Sequence, residues 1–373
     1  MRFAEFFAGI GLVRLGLEKS GWECVYANDI DPKKVEMYQA NFPHGLFHFE
    51  LGDIRAVKPE TIPQFDLATA SFPCTDLSLA GARAGLAGEH SSALWPFVEL
   101  LNKLDRLRPP LIMLENVVGF LTSNGGGDLK TALLKLTELG YSIDAFIIDA
   151  SHFVPQSRQR LFIVGCRQAD LATADRRSLS FFESEVRPPQ LANFILETPD
   201  IMWKLRELPR LPERTVSLED ILEDLPRDSH YWWTNDRSQY LLNQMSERHR
   251  RVADEMIHSE RISVGTVFRR VRNGRSMAEL RCDSIAGCLR TPKGGSARQI
   301  LFVAGNGGYR ARLLTERECA RLMGADDFNV TVPLNQALFG FGDAVCVPVI
   351  DWIAQNYLNP VLGEMRPRLK VAS

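Results

Sequence analysis

The sequence predicts an α/β protein with a domain on a mainly parallel sheet, joined to a smaller and less regular second domain. Three observations predict it. Over residues 1–166, short apolar runs alternate with amphipathic stretches, the pattern of strands alternating with helices. From about Arg167 that alternation gives way to Pro- and Arg-rich sequence. The chain has 373 residues, enough for two or three domains.

Residues 2–7 read as a strand stopped by Gly9 and Gly11, and residues 12–20 as a helix ended by Gly21. Short strands follow at 24–27 and 65–71. Leu94, Phe97, Leu100, Leu101 and Leu104 recur at helical spacing within 91–107, with a serine as N-cap. A strand at 111–114 follows Pro109-Pro110, a helix at 129–139 ends at Gly140, and strands are expected at 141–148 and 161–165. Beyond Arg167 come RPPQ, LPRLPER, the acidic SLEDILEDLP and the cluster Tyr231-Trp232-Trp233. That cluster is read as core rather than as a stacking platform. Strands are expected at 266–271 and 300–303 and a helix at 315–323. A last helix, about 345–357, is apolar on most of its surface and should pack into the first domain. The expected division is 1–166, 167–335, and a returning segment 336–373.

With 45% hydrophobic and 24% charged residues, the chain is not collagen-like, disordered or membrane-embedded. No run approaches the length of apolar sequence a spanning helix requires, so none is expected. Glu5 inside the first apolar run argues against a secretory signal. The 7 cysteines include no CxxC pair, so neither a zinc site nor a disulfide framework is expected, and a reducing cytoplasm is the expected compartment. The net charge of −2 hides an asymmetry: residues 248–298 carry 12 basic against 5 acidic side chains. A concentrated basic segment fits either local contact with a polyanion or a solvated surface.

Four motifs sit beside expected strand ends. Phe7-Ala8-Gly9-Ile10-Gly11 follows a strand and opens a helix, where glycine permits a tight turn and close approach to a ligand. Asp29 ends the next strand, where an acid can take two ribose hydroxyls. Arg14 occupies the third glycine position of a nicotinamide fingerprint, so that pattern is incomplete. Ser71-Phe72-Pro73-Cys74-Thr75-Asp76-Leu77-Ser78 places a cysteine in a polar loop after a strand. Glu115-Asn116-Val117 follows the strand at 111–114. Gln156-Ser157-Arg158-Gln159-Arg160 leads into another, with two arginines on one side of an extended chain. Gly52-Asp53-Ile54 marks a further loop.

In this order, FAGIG, NDID, GDI, FPCTDLS, ENV and QSRQR resemble the DNA (cytosine-5)-methyltransferases of bacterial or phage modification type. LRTPKGG, RLLTERECARLMG and FGDAVCVPV resemble that family's last motifs. Only about 167–260 is unmatched, where the family keeps its variable target-recognition region. Two departures stand out. Asp343 replaces the usual asparagine of the final motif, which costs amide donors, and Leu12 stands where a second glycine is common.

The resemblance implies a Rossmann-like S-adenosylmethionine-dependent domain, a target-recognition domain, and methyl transfer to C5 of a flipped-out cytosine in duplex DNA. It makes Cys74 the nucleophile and Glu115 the group that holds N3 and the exocyclic amine. A raised pKa through burial is expected for Glu115. Arg158 and Arg160 are the expected activators, and Arg160 also an anchor of the base. Phe7, Gly9, Gly11, Asp29, Ile30, Asp53, Ile54, Pro73, Leu94, Asp343 and Val345 are the expected cofactor contacts. Ser78, Arg269, Arg270, Arg272, Lys293 and Arg298 are the expected DNA contacts. No metal is expected. Double-stranded DNA, a companion restriction endonuclease, a monomeric state and a cytoplasmic location complete the implied picture. Three other readings stand beside it. An RNA-directed relative lacks support because the Cys-Phe-Thr tripeptide of that branch is absent. A non-catalytic binding protein would not need Cys74 and Glu115. A nicotinamide oxidoreductase rests on the glycine loop alone.

Overall fold

In a computed structural model, residues 1–73, 93–167, 182–272, 274–292 and 298–369 are described. They divide into two compact units, Met1–Asp149 with Gln159–Leu211 and Val347–Ser373, and Ala150–Arg158 with Pro212–Cys346.

The first unit carries a 7-stranded sheet formed by β1 (Arg2–Phe6), β2 (Glu23–Asp29), β3 (Phe49–Leu51), β4 (Leu67–Ala70), β5 (Leu111–Val117), β6 (Ser142–Asp149) and β7 (Gln159–Cys166), in the order β3-β2-β1-β4-β5-β7-β6. The first five run parallel; β7 is antiparallel to both β5 and β6. Strands β4, β5 and β6 are buried along almost their whole length, because helices cover a parallel sheet on both faces. Those helices include α1 (Leu12–Lys19), α2 (Pro32–Asn41), α3 (Leu94–Lys103) and α4 (Gly127–Glu138). The strand order reverses between β1 and β4, the position at which open α/β sheets bind ligands outside the strands' carboxyl ends.

Three expectations are corrected. The strand predicted at 111–114 continues to Val117, because β7 extends the ladder as far as Val117 opposite Arg160. Glu115 and Asn116 therefore lie within a strand, not after one. Second, the compact units do not break at 167. The helix α5 (Pro189–Glu197) buries Leu191, Ala192 and Ile195 in the same core as Leu133 and Leu136 of α4. Buried Arg187 pairs with Asp144 of β6 at 2.7 Å. The chain rejoins the first unit at Val347 rather than 336. Third, Leu334–Met365 is apolar enough in composition to cross a membrane. It is not one continuous helix, since the backbone is extended at Ala344 (ψ 166°), and most of it is buried in the protein.

The second unit is more regular than its sequence suggests. It contains α6 (Asn235–Asn243), α7 (Glu247–His258) and a 4-stranded antiparallel sheet of β8 (Ser263–Arg272), β9 (Arg275–Arg281), β10 (Ile300–Gly305) and β11 (Gly308–Leu313), in the order β11-β10-β8-β9. Its own core joins Leu241, Ala253, Val267, Phe302 and Ala311. Further on, α8 (Glu316–Leu322) opens with a reciprocal cap between Thr315 and Glu318, and α9 (Leu334–Asp343) follows.

Candidate active site at the carboxyl ends of the parallel strands

The loop after β1 is shaped by backbone that few residues adopt. Phe7 has φ +56°, Gly9 +58° and Gly11 +83°. A Cβ at Gly11 would lie 2.5 Å from Phe42 Cε2 and 2.8 Å from Tyr38 Cδ2, so only glycine fits. Beneath it, buried Arg14 donates to Glu18 at 2.7 Å and to the Tyr38 hydroxyl at 3.0 Å, with its guanidinium 4.2 Å from the Phe42 ring centre. The arginine at the fingerprint's third glycine position is thus a brace for this loop.

Asp29, at the end of β2, accepts from the Gly9 amide at 2.7 Å and the Asp31 amide at 2.8 Å. Burial raises its pKa, while Lys34 and the two amides pull the other way. Ile30, the next residue, is 65% exposed, a flat apolar surface beside a fixed carboxylate. Asn28, buried behind them, donates to the Glu50 carbonyl at 2.9 Å and the Gly52 carbonyl at 3.0 Å, fastening the loop after β3. In that loop Asp53 accepts from the Arg55 amide at 2.9 Å and pairs with its guanidinium, which holds the carboxyl below its ordinary range. Ile54 and Leu94 are buried and Pro73 is exposed.

The ends of β4 and β5 are tied together. Asn116 is 3% exposed; its Nδ2 donates to the Phe72 carbonyl at 3.3 Å and its Oδ1 accepts from Val117 at 2.8 Å. Beside it, Glu115 Oε1 lies 2.9 Å from Arg160 Nε, both side chains nearly buried. The pair arises because Arg160 and Glu115 stand on neighbouring antiparallel strands. Cys74 and Ser78 lie outside the described residues, as does Lys293.

Not every expected site residue converges here. Arg158, read as a partner of Arg160 in activating the nucleophile, belongs to the second unit. Its guanidinium donates to the carbonyls of Leu289 (2.9 Å), Gly342 (2.9 Å) and Ala344 (2.5 Å). It braces the final-motif segment, in which Asp343 is exposed and Val345 buried. Gly342 is required there, because a Cβ would lie 2.5 Å from the Thr291 amide nitrogen. Among the expected DNA contacts, Arg272 pairs with Glu279 at 2.7 Å and Arg270 approaches the same carboxylate at 3.9 Å. Arg269 is directed instead toward Trp233, 5.8 Å from its ring centre. Trp232 and Trp233, read as core, are only half-buried.

Sequence reasoning assigned no role to three buried polar residues of these strands: Asn28 and Asn116, read only as parts of motifs, and Glu5. Each is a buried polar residue within or at the end of a mainly apolar run, the signal that could have singled it out. Glu5 is 2% exposed, and neither carboxyl oxygen makes a hydrogen bond among the described residues.

The family profile described as C-5 cytosine-specific DNA methylase matches residues 1–359. The type II methyltransferase M.Bsp6I of Bacillus sp. (strain RFL6) is 29% identical over 97% of this chain and 100% of its own length. M.HhaI of Haemophilus parahaemolyticus is 27% identical over 95% of this chain and 94% of its own. Among solved structures, the S. pombe Dnmt2 methyltransferase shares the fold with a TM-score of 0.61 at 18% identity, covering 97% of this chain and 99% of that one. The Entamoeba histolytica methyltransferase EhMeth does so with a TM-score of 0.62 at 15% identity, covering 97% and 98%. With the profile spanning nearly the whole chain and the glycine loop, acidic strand end and Glu115–Arg160 pair gathered on one Rossmann-like sheet, the chain belongs to the C-5 cytosine-specific DNA methylases and is a DNA (cytosine-5-)-methyltransferase.

Proposed function

We propose that this enzyme methylates cytosine within a specific duplex DNA sequence through a covalent bond between Cys74 and C6 of the base, and that it guards that DNA against a companion restriction endonuclease. The observation that carries the reading is the junction of β4 and β5: Asn116 holds the Phe72 carbonyl, two residues before Cys74, next to Glu115 paired with Arg160. That arrangement fixes the entry to the cysteine loop beside a buried carboxyl, which suits a nucleophile and an acid working on one ring.

S-adenosylmethionine, when bound, supplies an electrophilic methyl group on a cationic sulfonium. The residues present fit it. Asp29 would take the ribose, Ile30 offers its exposed face to the adenine, and Gly9 and Gly11 let the backbone approach the ligand. Phe7, Asp53, Ile54, Pro73 and Leu94 belong to the same set, and Asp343 and Val345 complete it. The Cys74 thiolate adds to C6, and Glu115 gives a proton to N3 as the bond forms, so that C5 becomes an enamine carbon able to accept the methyl group. Loss of the C5 proton to a base then expels the thiolate, and N3 returns its proton to Glu115, which restores the neutral aromatic ring. Arg160 holds the Glu115 carboxyl in its rotamer throughout. Arg158 serves by position, through the final-motif backbone.

Cys74→Ala tests this. Transfer of tritiated methyl groups to duplex DNA should vanish, and the stable complex with DNA carrying 5-fluorocytosine should be lost with it. Turnover close to that of the unaltered enzyme would remove Cys74 from the chemistry. Bisulfite sequencing of DNA from expressing cells gives the target sequence, and that DNA should resist a nuclease that cuts there.

A further inference from the structure

The second unit gathers arginines without the acids that usually accompany them. Other arginines of this unit meet acceptors: Arg312, 1% exposed, pairs with Glu318 at 2.5 Å, Arg281 pairs with Asp283 at 2.7 Å, and Arg158 donates to backbone carbonyls. Around Trp233 the pattern differs. The Arg237 guanidinium lies 4.0 Å from the ring centre and that of Arg269 5.8 Å. Burial and then the neighbouring charges of Arg269 and Arg298 lower the pKa of Arg237. The Nε atoms of Arg269 and Arg298 are buried with no hydrogen-bond acceptor among the described residues. A second group forms on Trp232, where Arg310 lies 4.2 Å from the ring centre. Burial, Arg227 and Arg312 all lower its pKa, with Asp224 a smaller opposing influence, and one of its terminal nitrogens is likewise buried without an acceptor.

Mutually repelling guanidiniums, partly desolvated and lacking acceptors, are unfavourable unless an anion completes them. The tryptophans hold Arg237, Arg269 and Arg310 in place by cation–π attraction and fix their planes in advance, which lowers the ordering cost when an anion arrives. We infer that Trp232 and Trp233 are the platforms of a phosphate-binding surface for the DNA backbone, on which Arg237, Arg269, Arg298 and Arg310 anchor the duplex. The inference rests on the reading of duplex DNA as substrate and adds to it the residues that grip it. The repelling charges favour phosphate over base edges, because a neutral guanine edge would leave the repulsion uncompensated. The surface is built from α6, β8, β11 and the residue pair preceding β10, so residues far apart in sequence contribute to it.

The test measures binding of the full-length protein to two labelled duplexes by fluorescence anisotropy across a salt series. One duplex carries the target sequence found by bisulfite sequencing, the other a scrambled sequence. The double variant R237Q/R310Q should flatten the slope of log affinity against log salt by about 1.8, at about 0.9 per lost phosphate contact, equally on both duplexes. R237K/R310K should retain most of the slope. Trp233→Leu, which keeps every charge, should weaken binding while leaving the slope in place. An unchanged slope in R237Q/R310Q would overturn the inference. So would a loss confined to the target duplex, which would make these residues base readers. Lysine variants that bind as poorly as the glutamine ones and melt lower would make the arginines packing elements. If the unaltered protein shows no salt-dependent binding to either duplex, the DNA reading itself fails.

Discussion

Glu5 offers a direct measure of what burial does beneath the glycine loop after β1. It lies in β1, two residues before Phe7, and is 2% exposed. Burial carries its pKa from 4.5 to about 8, and the charge of nearby Arg14 opposes this without prevailing. The native protein therefore holds a neutral acid near neutral pH, while the unfolded chain holds a carboxylate. Between these two values the unfolded state binds fewer protons, so stability falls as pH rises from about 4.5 to about 8 and levels off above. The difference corresponds to about 5 kcal/mol as an upper bound, since water entering beside a charged Glu5 recovers part of it. Glu5→Gln keeps the shape and removes the titration. Its stability relative to the unaltered protein should therefore grow with pH across that window. For a unit of this size the gain in melting temperature should approach roughly 10 °C between pH 5 and pH 8. Differential scanning fluorimetry of both proteins at matched ionic strength reads the difference, and other titrating groups cancel. Parallel pH profiles for the two proteins would refute the argument, because they would mean that Glu5 is hydrated or hydrogen-bonded in the folded state.

Two further perturbations bear on the glycine loop and the proposed cofactor contact at Asp29. Asp29→Ala should weaken S-adenosylmethionine binding by about 1.5–3 kcal/mol, the worth of hydrogen bonds to a charged group. Isothermal titration calorimetry would report it, and an unchanged dissociation constant would show that the ribose is held elsewhere. Gly11→Ala should destabilise the protein by about 2–5 kcal/mol, combining left-handed backbone with overpacking against Phe42 and Tyr38. Gly9→Ala shares the positive φ, but the nearest atom to its Cβ lies 4.0 Å away, so urea unfolding should show a much smaller loss. Equal losses at the two glycines would sink the packing argument.

The sequence by itself determined the first unit's plan. The apolar runs of β1, β2 and β4 to β7 are continuous enough to identify buried strands, and the motifs between them fall at strand ends because glycine, proline and acids interrupt those runs. It also singled out Asp29, Glu115 and Arg160 as candidates, since each stands out as charge beside apolar sequence. What only the tertiary structure decided is how those charges are partnered. Arg158 and Arg160 are two residues apart and look equivalent in sequence. One meets Glu115 because β7 runs antiparallel to β5; the other meets the carbonyls of Leu289, Gly342 and Ala344. The antiparallel sheet of the second unit was only partly legible: the runs at 266–271 and 300–303 mark β8 and β10, but β11 alternates apolar residues with arginines and β9 gives too few apolar residues to announce a strand. Hydrogen bonding between strands distant in sequence supplied the order that local pattern lacked, and placed two tryptophans, adjacent in sequence, beneath arginines drawn from separate elements.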